Sequence, residues 1–581
     1  MESKTPKFDA LIDEVLKDLV PHARTCRWKG EHKHCEGEFN IEEGDIGFLK
    51  TFRVPPPNFC PTCRRMRRFV HMGLLRLFKR PCDATGHTES MISVFSEECP
   101  FPVFDYKYFT GGEFDPFLYG VLYKEDEGPM GVLSTMRKSF PVPSFLNRDP
   151  ASINSEYSNG GRDTKNVYYA GGCFSVENAW YCSLVNKSKD IMDSRAIHSS
   201  DHIYCSAFVD NSYKSAFMYF SKDCTDSMFL FDCRNSTNCF GCVGLRNAKY
   251  RVWNEQLSKE AYENFMQAVY PLTRDKIKQY DKSFWALVKQ TPVNASMNTV
   301  VNGVDGVLLE NSKDLINVTD SEKSEHIRHS DGCIAHKDSM DVTFSGGSSL
   351  LYSATNIGSS SNNVKFSVAG KFCTDSEFIF NCRNVSNSFM CFGLQNKSYC
   401  VLNKQYIPEE YFALVDTIKT DMMQRGEYGD GLGFEFSAQA YNFSHAQVSF
   451  PLTDEEIIKL GGYIASEPDT NAGVTKVLSG SDIPETIEGT KDDIINFAIK
   501  CEVTGRPFRI TESELQFYRV MQLPIPLVHP SLRIQNHFTM VPLGISYKAE
   551  CAKCNQSISS LFDPKQGYTL YCEKCYQQEV Y

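Results

Sequence analysis

Cysteines near both ends of the chain are spaced for metal chemistry. Cys551-x2-Cys554 and Cys572-x2-Cys575 are two knuckles, each placing a pair of thiolates on one tight turn. Four such thiolates meet the tetrahedral demand of Zn²⁺, with sulfurs at about 2.3 Å. Near the other end Cys60-Pro-Thr-Cys63 is a third knuckle, and Cys26 with Cys35 supplies the second half of a site. His32 and His34 fall inside that wider gap, so three cysteines and one histidine stand as an alternative to the all-cysteine set. The expectation is two Zn²⁺ per chain, both structural, because four protein ligands leave no open position for a water.

Directly after the N-terminal knuckle, residues 60–80 carry Arg64, Arg65, Arg67, Arg68, Arg76, Lys79 and Arg80 and no acid. In a chain of net charge −11 this local excess is the segment to contact nucleic-acid phosphates. The competing expectation is that these arginines pair with the chain's own acids. The overall acidity argues against coating nucleic acid along the whole length. No G-x-S-x-G, Walker A, H-E-x-x-H or dinucleotide fingerprint stands in a supporting context, so no catalytic residue is assigned. Asp190, Asp193, Asp201, Asp210, Asp223, Asp226 and Asp232 would suit a carbohydrate-cleaving groove, but their spacing follows a repeat.

Three repeats organise the chain that must position these groups. Residues 35–82 align without a gap onto 504–551, so the two ends read as copies of one module. In that alignment Cys35, Cys60 and Cys63 fall on Thr504, His529 and Leu532, while Cys554, Cys572 and Cys575 fall on Thr85, Val103 and Tyr106. Each copy therefore keeps a different one of two metal positions. Residues 224–254 match 373–403, which makes the middle a duplication. Finest is a period of 12, in which Asn166, Asn178, Asp190, His202, Lys214, Asp226 and Asn238 form one column. Tyr168, Trp180, Met192, Tyr204, Ala216, Met228 and Phe240 form a mostly large column, and Val176, Ser188, Ser200, Ser212, Cys224, Ser236 and Ala248 a small one. A strict 12 matches neither a helix nor a single strand; stacked rungs do, because each column then touches itself.

The expected architecture is mainly β: two parallel β-solenoid units with helical caps, flanked by N- and C-terminal zinc-binding α+β modules of zinc-ribbon or treble-clef type. The expected boundaries are an N-terminal zinc module (1–105), a linker (106–150), solenoid 1 (151–254), a helical cap and connector (255–325), solenoid 2 (326–403), a second helical cap (404–465), a linker (466–490) and a C-terminal zinc-ribbon module (491–581). Most of the 12 cysteines within the repeats are expected as small core residues, Cys239 and Cys242 included, since the copy of that pair is Ser388 and Cys391.

The segments FRVPPPNFCPTCRRMRR, LFKRPCDATGH, CPFPVFDYKYF, DCRNSTNCFGCVGLRNAKY, FNCRNVSNSFMCFGLQNKSYCVLNKQY, CEVTGRPFRITESELQFYR and YCEKCYQQEVY resemble a family of zinc-ribbon proteins with Cys/Tyr/Asn-rich central repeats. Its members occur in small-genome uncultivated bacteria and in some large viruses. The resemblance spans nearly the whole chain and implies the same layout, a zinc module at each end of paired solenoids; it implies no activity or substrate. The wide Cys26–Cys35 gap and the His529/Leu532 pair depart from that pattern.

Together these features point to a non-enzymatic zinc-binding scaffold that presents a rigid surface for protein partners or self-assembly. The alternatives are a nucleic-acid-binding protein using the basic N-terminal module and a carbohydrate-active solenoid enzyme. With 23 cysteines, no apolar leader and no long apolar run, the expected setting is the reducing cytoplasm, or a virion or large assembly, without a membrane partner.

Overall fold

Buried residues recur at every third position through the first repeat region. Ala170, Cys173, Val176, Ala179, Cys182 and Val185 are all nearly inaccessible, and the series continues through Ile191, Ile197 and Ile203. The residues one step before these inward positions adopt positive φ, as at Asn166, Tyr169, Ser175, Asn178 and Tyr181. Two extended residues followed by one left-handed corner thus build the chain, a pattern that costs each non-glycine corner about 1 kcal/mol or more. In the computed structural model, which describes residues 3–146, 151–468 and 476–580, these segments form one sheet of 13 strands and a second of 12.

Within both sheets the repeats pair in parallel, and the register equals the sequence period. Cys173 lies opposite Val185, Val185 opposite Ile197, and Ile197 opposite Val209. The chain therefore moves over by one strand for every 12 residues. Inward serines knit successive repeats: Ser200 Oγ donates to the His198 carbonyl at 2.6 Å and accepts the Ser212 N–H at 3.1 Å. At one outer corner side-chain amides form a ladder, with Asn154, Asn166 and Asn178 donating in turn to Asn166, Asn178 and Asp190 at 3.1, 2.9 and 2.8 Å. Asn and Asp suit these corners because their short polar side chains tolerate the left-handed region.

Apart from Cys205, which sits at a positive-φ corner against the outer core, the repeat cysteines occupy the same inward positions as serine. Cys182 Sγ donates to the Trp180 carbonyl at 3.1 Å, and Cys224 Sγ to the Lys222 carbonyl at 3.3 Å. Burial pushes the Cys173 thiol up to about 12 and the Cys224 and Cys373 thiols up to about 11, which keeps them neutral. Cys239 and Cys242 lie in the same buried interior. The large column is different: Trp180, Met192, Tyr204, Met228 and Phe240 face outward into a second core.

That outer core is where the ends of the chain attach, and they cross. The C-terminal module packs on the outer face of the first sheet, through Leu515, Phe517, Tyr518, Ile534 and Phe538. The N-terminal module packs on the second sheet, where Phe48 and Phe52 share a cluster with Tyr352, Phe366, Phe378 and Phe389. Each module also forms a separate two-stranded parallel sheet with the segment that leads into the other large sheet. Val103–Phe104 pairs with Val142–Pro143, just before the first sheet, and Leu570–Tyr571 pairs with Val293–Asn294, just before the second.

Several expected boundaries move. Residues 106–146 are not a linker: they hold the helices Tyr106–Thr110 and Pro129–Ser139 and the strand Val142–Pro143. The second sheet starts at Thr299, well before 326. Its columns were blurred by one 13-residue repeat, since Ser349 pairs with Asn362 across corners at Ser359 and Ser360. The helices Lys259–Val269 and Arg274–Gln290 follow the first sheet in the chain, and Pro408–Arg425 follows the second. Of the segment 466–490, residues 469–475 lie outside the described residues, and Val477–Leu478 pairs with Ala498–Lys500. No helix among the described residues is long and apolar enough to cross a membrane.

Candidate metal centres

The N-terminal centre is built by a hairpin facing a helix. Strand His22–Thr25 pairs antiparallel with Glu38–Ile41, and the connecting turn carries Cys26 and Cys35. Cys60 is the N-cap of helix Pro61–Phe69, and Cys63 lies in its first turn. The ligand atoms of Cys26, Cys35, Cys60 and Cys63 all lie within 4.8 Å of one another. Hydrogen bonds favour negative sulfur here: the Cys60 N–H reaches Cys26 Sγ at 3.3 Å, and the Gly37 N–H reaches Cys35 Sγ at 3.4 Å. The helix N-terminus adds its own positive end.

Hydrogen bonds from Cys60 and then Cys63 hold the Cys26 thiol down to about 2, while Cys60 is pushed up to about 12 because it serves that sulfur. One thiolate thus forms easily and the others resist, as expected when four sulfurs share a small buried volume without a compensating cation. A divalent metal ion removes that conflict. His34 is directed elsewhere, its Nε2 lying 3.0 Å from the Pro451 carbonyl. His32 is buried with Nε2 3.4 Å from Cys63 Sγ, so it neighbours one sulfur instead of replacing it.

The C-terminal centre repeats the plan. Tyr547–Glu550 pairs with Ser557–Ser560, the turn carries Cys551 and Cys554, and Cys572 and Cys575 stand at the start of helix Glu573–Val580. Their ligand atoms also fall within 4.8 Å of one another. Burial raises the Cys551 thiol, but the backbone N–H groups of Cys572, Cys554 and Lys553 prevail and bring it to about 6.

Strand pairing corrects the bookkeeping of the two lost positions. In the C-terminal copy, Ile499 pairs with Phe508 as Arg24 pairs with Phe39, and the His529 N–H reaches Cys501 Sγ at 3.2 Å as Cys60 reaches Cys26. Cys501 therefore stands where Cys26 does, behind a shorter turn. In the N-terminal copy the longer hairpin moves the counterparts of Cys572 and Cys575 to Asp105 and Tyr108, not Val103 and Tyr106. The Asp105 N–H reaches Cys82 Sγ at 3.3 Å, and the Asp105 carboxylate caps the following helix by accepting from Lys107 and Tyr108.

The arginine run is redirected more drastically. Arg64, Arg65, Arg68, Arg76 and Arg80 are buried, Arg67 is half-buried, and only Lys79 is exposed. Arg64 and Arg68 meet Asp341 at 2.8 and 2.9 Å, and Arg65 meets Asp331 at 2.8 Å, both aspartates fully buried in the second sheet. Arg67 lies over the Phe59 ring, Arg76 meets Glu467, and Arg80 bonds Asp83. The expected phosphate-facing patch is thus an internal clamp, because the acids that complement it lie far along the same chain. Arg533, the counterpart of Arg64, pairs in the same way with buried Asp193 of the first sheet.

Each cysteine-bearing helix therefore also grips a sheet. Helix Pro61–Phe69 presents Arg64, Arg65 and Arg68 directly after Cys60 and Cys63, and helix Glu573–Val580 bonds Asp232 through Tyr576 directly after Cys575. One further cluster, Asp190, Asp201 and His202, brings ligand atoms within 4.8 Å at the half-exposed corner of the first sheet. His202 Nδ1 lies 2.6 Å from Asp201, a side-chain pair within the corner ladder. No family model matches the chain, and no curated protein matches it.

Proposed function

We propose that this protein is a zinc-stabilised, non-enzymatic scaffold in which two β-solenoids are locked together by a zinc module from each end of the chain. The observation that carries this reading is the double duty of the two cysteine-bearing helices, each starting at a four-sulfur centre and ending in contacts with a sheet. A metal ion that fixes the helix start fixes the grip as well, so its role is structural. Zn²⁺ is the ion favoured by four closely spaced sulfurs on hairpin–helix frames of zinc-ribbon or treble-clef character. The 12-residue register supports a solenoid coil of 12 residues, with small Ser, Cys and Ala inside and aromatic residues outside. The motif resemblance to zinc-ribbon proteins with Cys/Tyr/Asn-rich repeats supports the same layout. The rigid faces then serve to bind other proteins in an assembly, with the thiols kept reduced. Metal analysis of the purified chain tests the core of this reading: two Zn²⁺ per chain are expected, and substitution of either cysteine set should remove one.

A further inference from the structure

The two sheets end alike but are covered differently. The last repeat of the second sheet, Gln395–Val401, is crossed by the segment 115–123 of the N-terminal module. The Val121 N–H bonds the Leu402 carbonyl at 3.1 Å, and Asn403 Nδ2 bonds the Pro116 carbonyl at 2.9 Å. Phe117 closes the interior cluster of that sheet, with Lys397 Nζ 5.0 Å from its ring centre. Gly120 is required at the crossing, because a Cβ there would lie 2.5 Å from the Asn403 carbonyl oxygen. Beneath this strap Leu394 is fully buried.

The first sheet ends in the same frame. Asn254 exchanges hydrogen bonds with Val243 at 2.8 and 3.0 Å, as Asn403 does with Phe392 at 2.8 Å in both directions. Yet among the described residues no segment crosses its last repeat. Leu245 and Ala248, at the open end of the interior, remain partly exposed. A groove of about 680 Å³ lies there, bounded by residues 243–251, Pro292 and Glu579. Its charge differs from the covered end: Arg246, Lys249 and Arg251 stand where the second sheet has Gln395, Ser398 and Cys400. Arg246 bonds Asp232 at 3.1 Å and Arg251 bonds the Asn254 carbonyl at 2.8 Å, while Lys249 is exposed.

We propose that this groove is a docking site for an extended acidic peptide of a partner protein, laid across the last repeat as segment 115–123 is laid across the other. The peptide would bring an aromatic side chain onto Leu245 and Ala248, a glycine over Asn254, and carboxylates toward Lys249 and Arg251. Main-chain bonding to a sheet end supplies affinity, and the aromatic pocket with the basic rim supplies selectivity. This deepens the scaffold reading and rests on it for the existence of a partner, but the groove is tested separately from the metal.

The probe is a fluorescein-labelled peptide of residues 113–126, EFDPFLYGVLYKED, titrated by anisotropy into the full-length zinc-loaded chain. Saturable binding of one peptide per chain is expected, weakened about tenfold or more by Ala248→Glu, by Lys249→Glu, and by a peptide with Gly120→Val. Zinc content and circular dichroism of both protein variants should match the parent. No saturation up to millimolar peptide, or equal binding by the parent and both variants, would overturn the proposal while leaving the scaffold reading intact. Dimerisation of the parent that Ala248→Glu abolishes, without peptide binding, would assign the groove to a second copy and also overturn it.

Discussion

Cys63 has neighbours of two kinds: three other sulfurs within 4.8 Å, and the His32 imidazole at 3.4 Å. A four-sulfur site and a three-sulfur, one-histidine site answer mutation differently. Cys35→Ser should take the zinc count from two to one, whereas His32→Ala should leave it at two and weaken zinc binding about 10–100-fold, as for a residue that supports a ligand. Competition with a chromogenic chelator measures both. A second residue-scale prediction concerns acid. Burial depresses His336 to about 4, and neither ring nitrogen has a hydrogen-bond partner. An unfolded imidazole titrates near 6.5, so the folding free energy this group supports is present above that pH and is lost as pH falls toward 4. His71 and His445, depressed by burial to about 3, act in the same direction. Urea midpoints should therefore fall steadily below about pH 6.5, and His336→Leu should recover about 2 kcal/mol at pH 5 relative to pH 7.5. These residue-scale properties were unevenly legible. Knuckle spacing is local, so the six cysteines in C-x2-C pairs could be read directly; Cys26, Cys35 and the place of His32 depend on how the eight residues between those two cysteines fold.

At the scale of elements, the outcome turned on where each helix docks. Arg533 pairs with the buried Asp193, and replacing it by alanine strands a carboxylate in the outer core. Arg533→Ala should cost about 3–5 kcal/mol in urea denaturation, while Lys79→Ala, on the exposed side of the other module, should fall within about 0.5 kcal/mol. A comparable loss in both would contradict the clamp. The arginine run was visible in sequence, but its partners Asp331 and Asp341 lie more than 260 residues away, so nothing local distinguished a phosphate patch from an internal clamp. The repeat was more accessible. Its period of 12 appears in the first sheet because no repeat there changes length, whereas Ser359 and Ser360 shift every later column of the second sheet by one. The finer rule, one inward residue in three, was hidden because serine, cysteine and valine share those positions and differ in hydropathy.

The whole molecule is held by exchange: each end packs on the sheet that lies farther along the chain. The interior clusters of the sheets are made of repeat residues, apart from Phe117 at one end, while the outer cores mix repeat and module residues. Chelation should therefore act in two steps. Loss of the modules would expose Trp180 and red-shift its emission, with the strand signal in circular dichroism retained; a single joint collapse would contradict that order. All of this depends on the two sulfur centres being loaded, and metal stoichiometry tests it most directly. Elemental analysis of the purified full-length chain should find two zinc ions per chain, falling to one with Cys35→Ser or Cys575→Ser and to none with both. Less than one metal ion per folded chain would contradict the account.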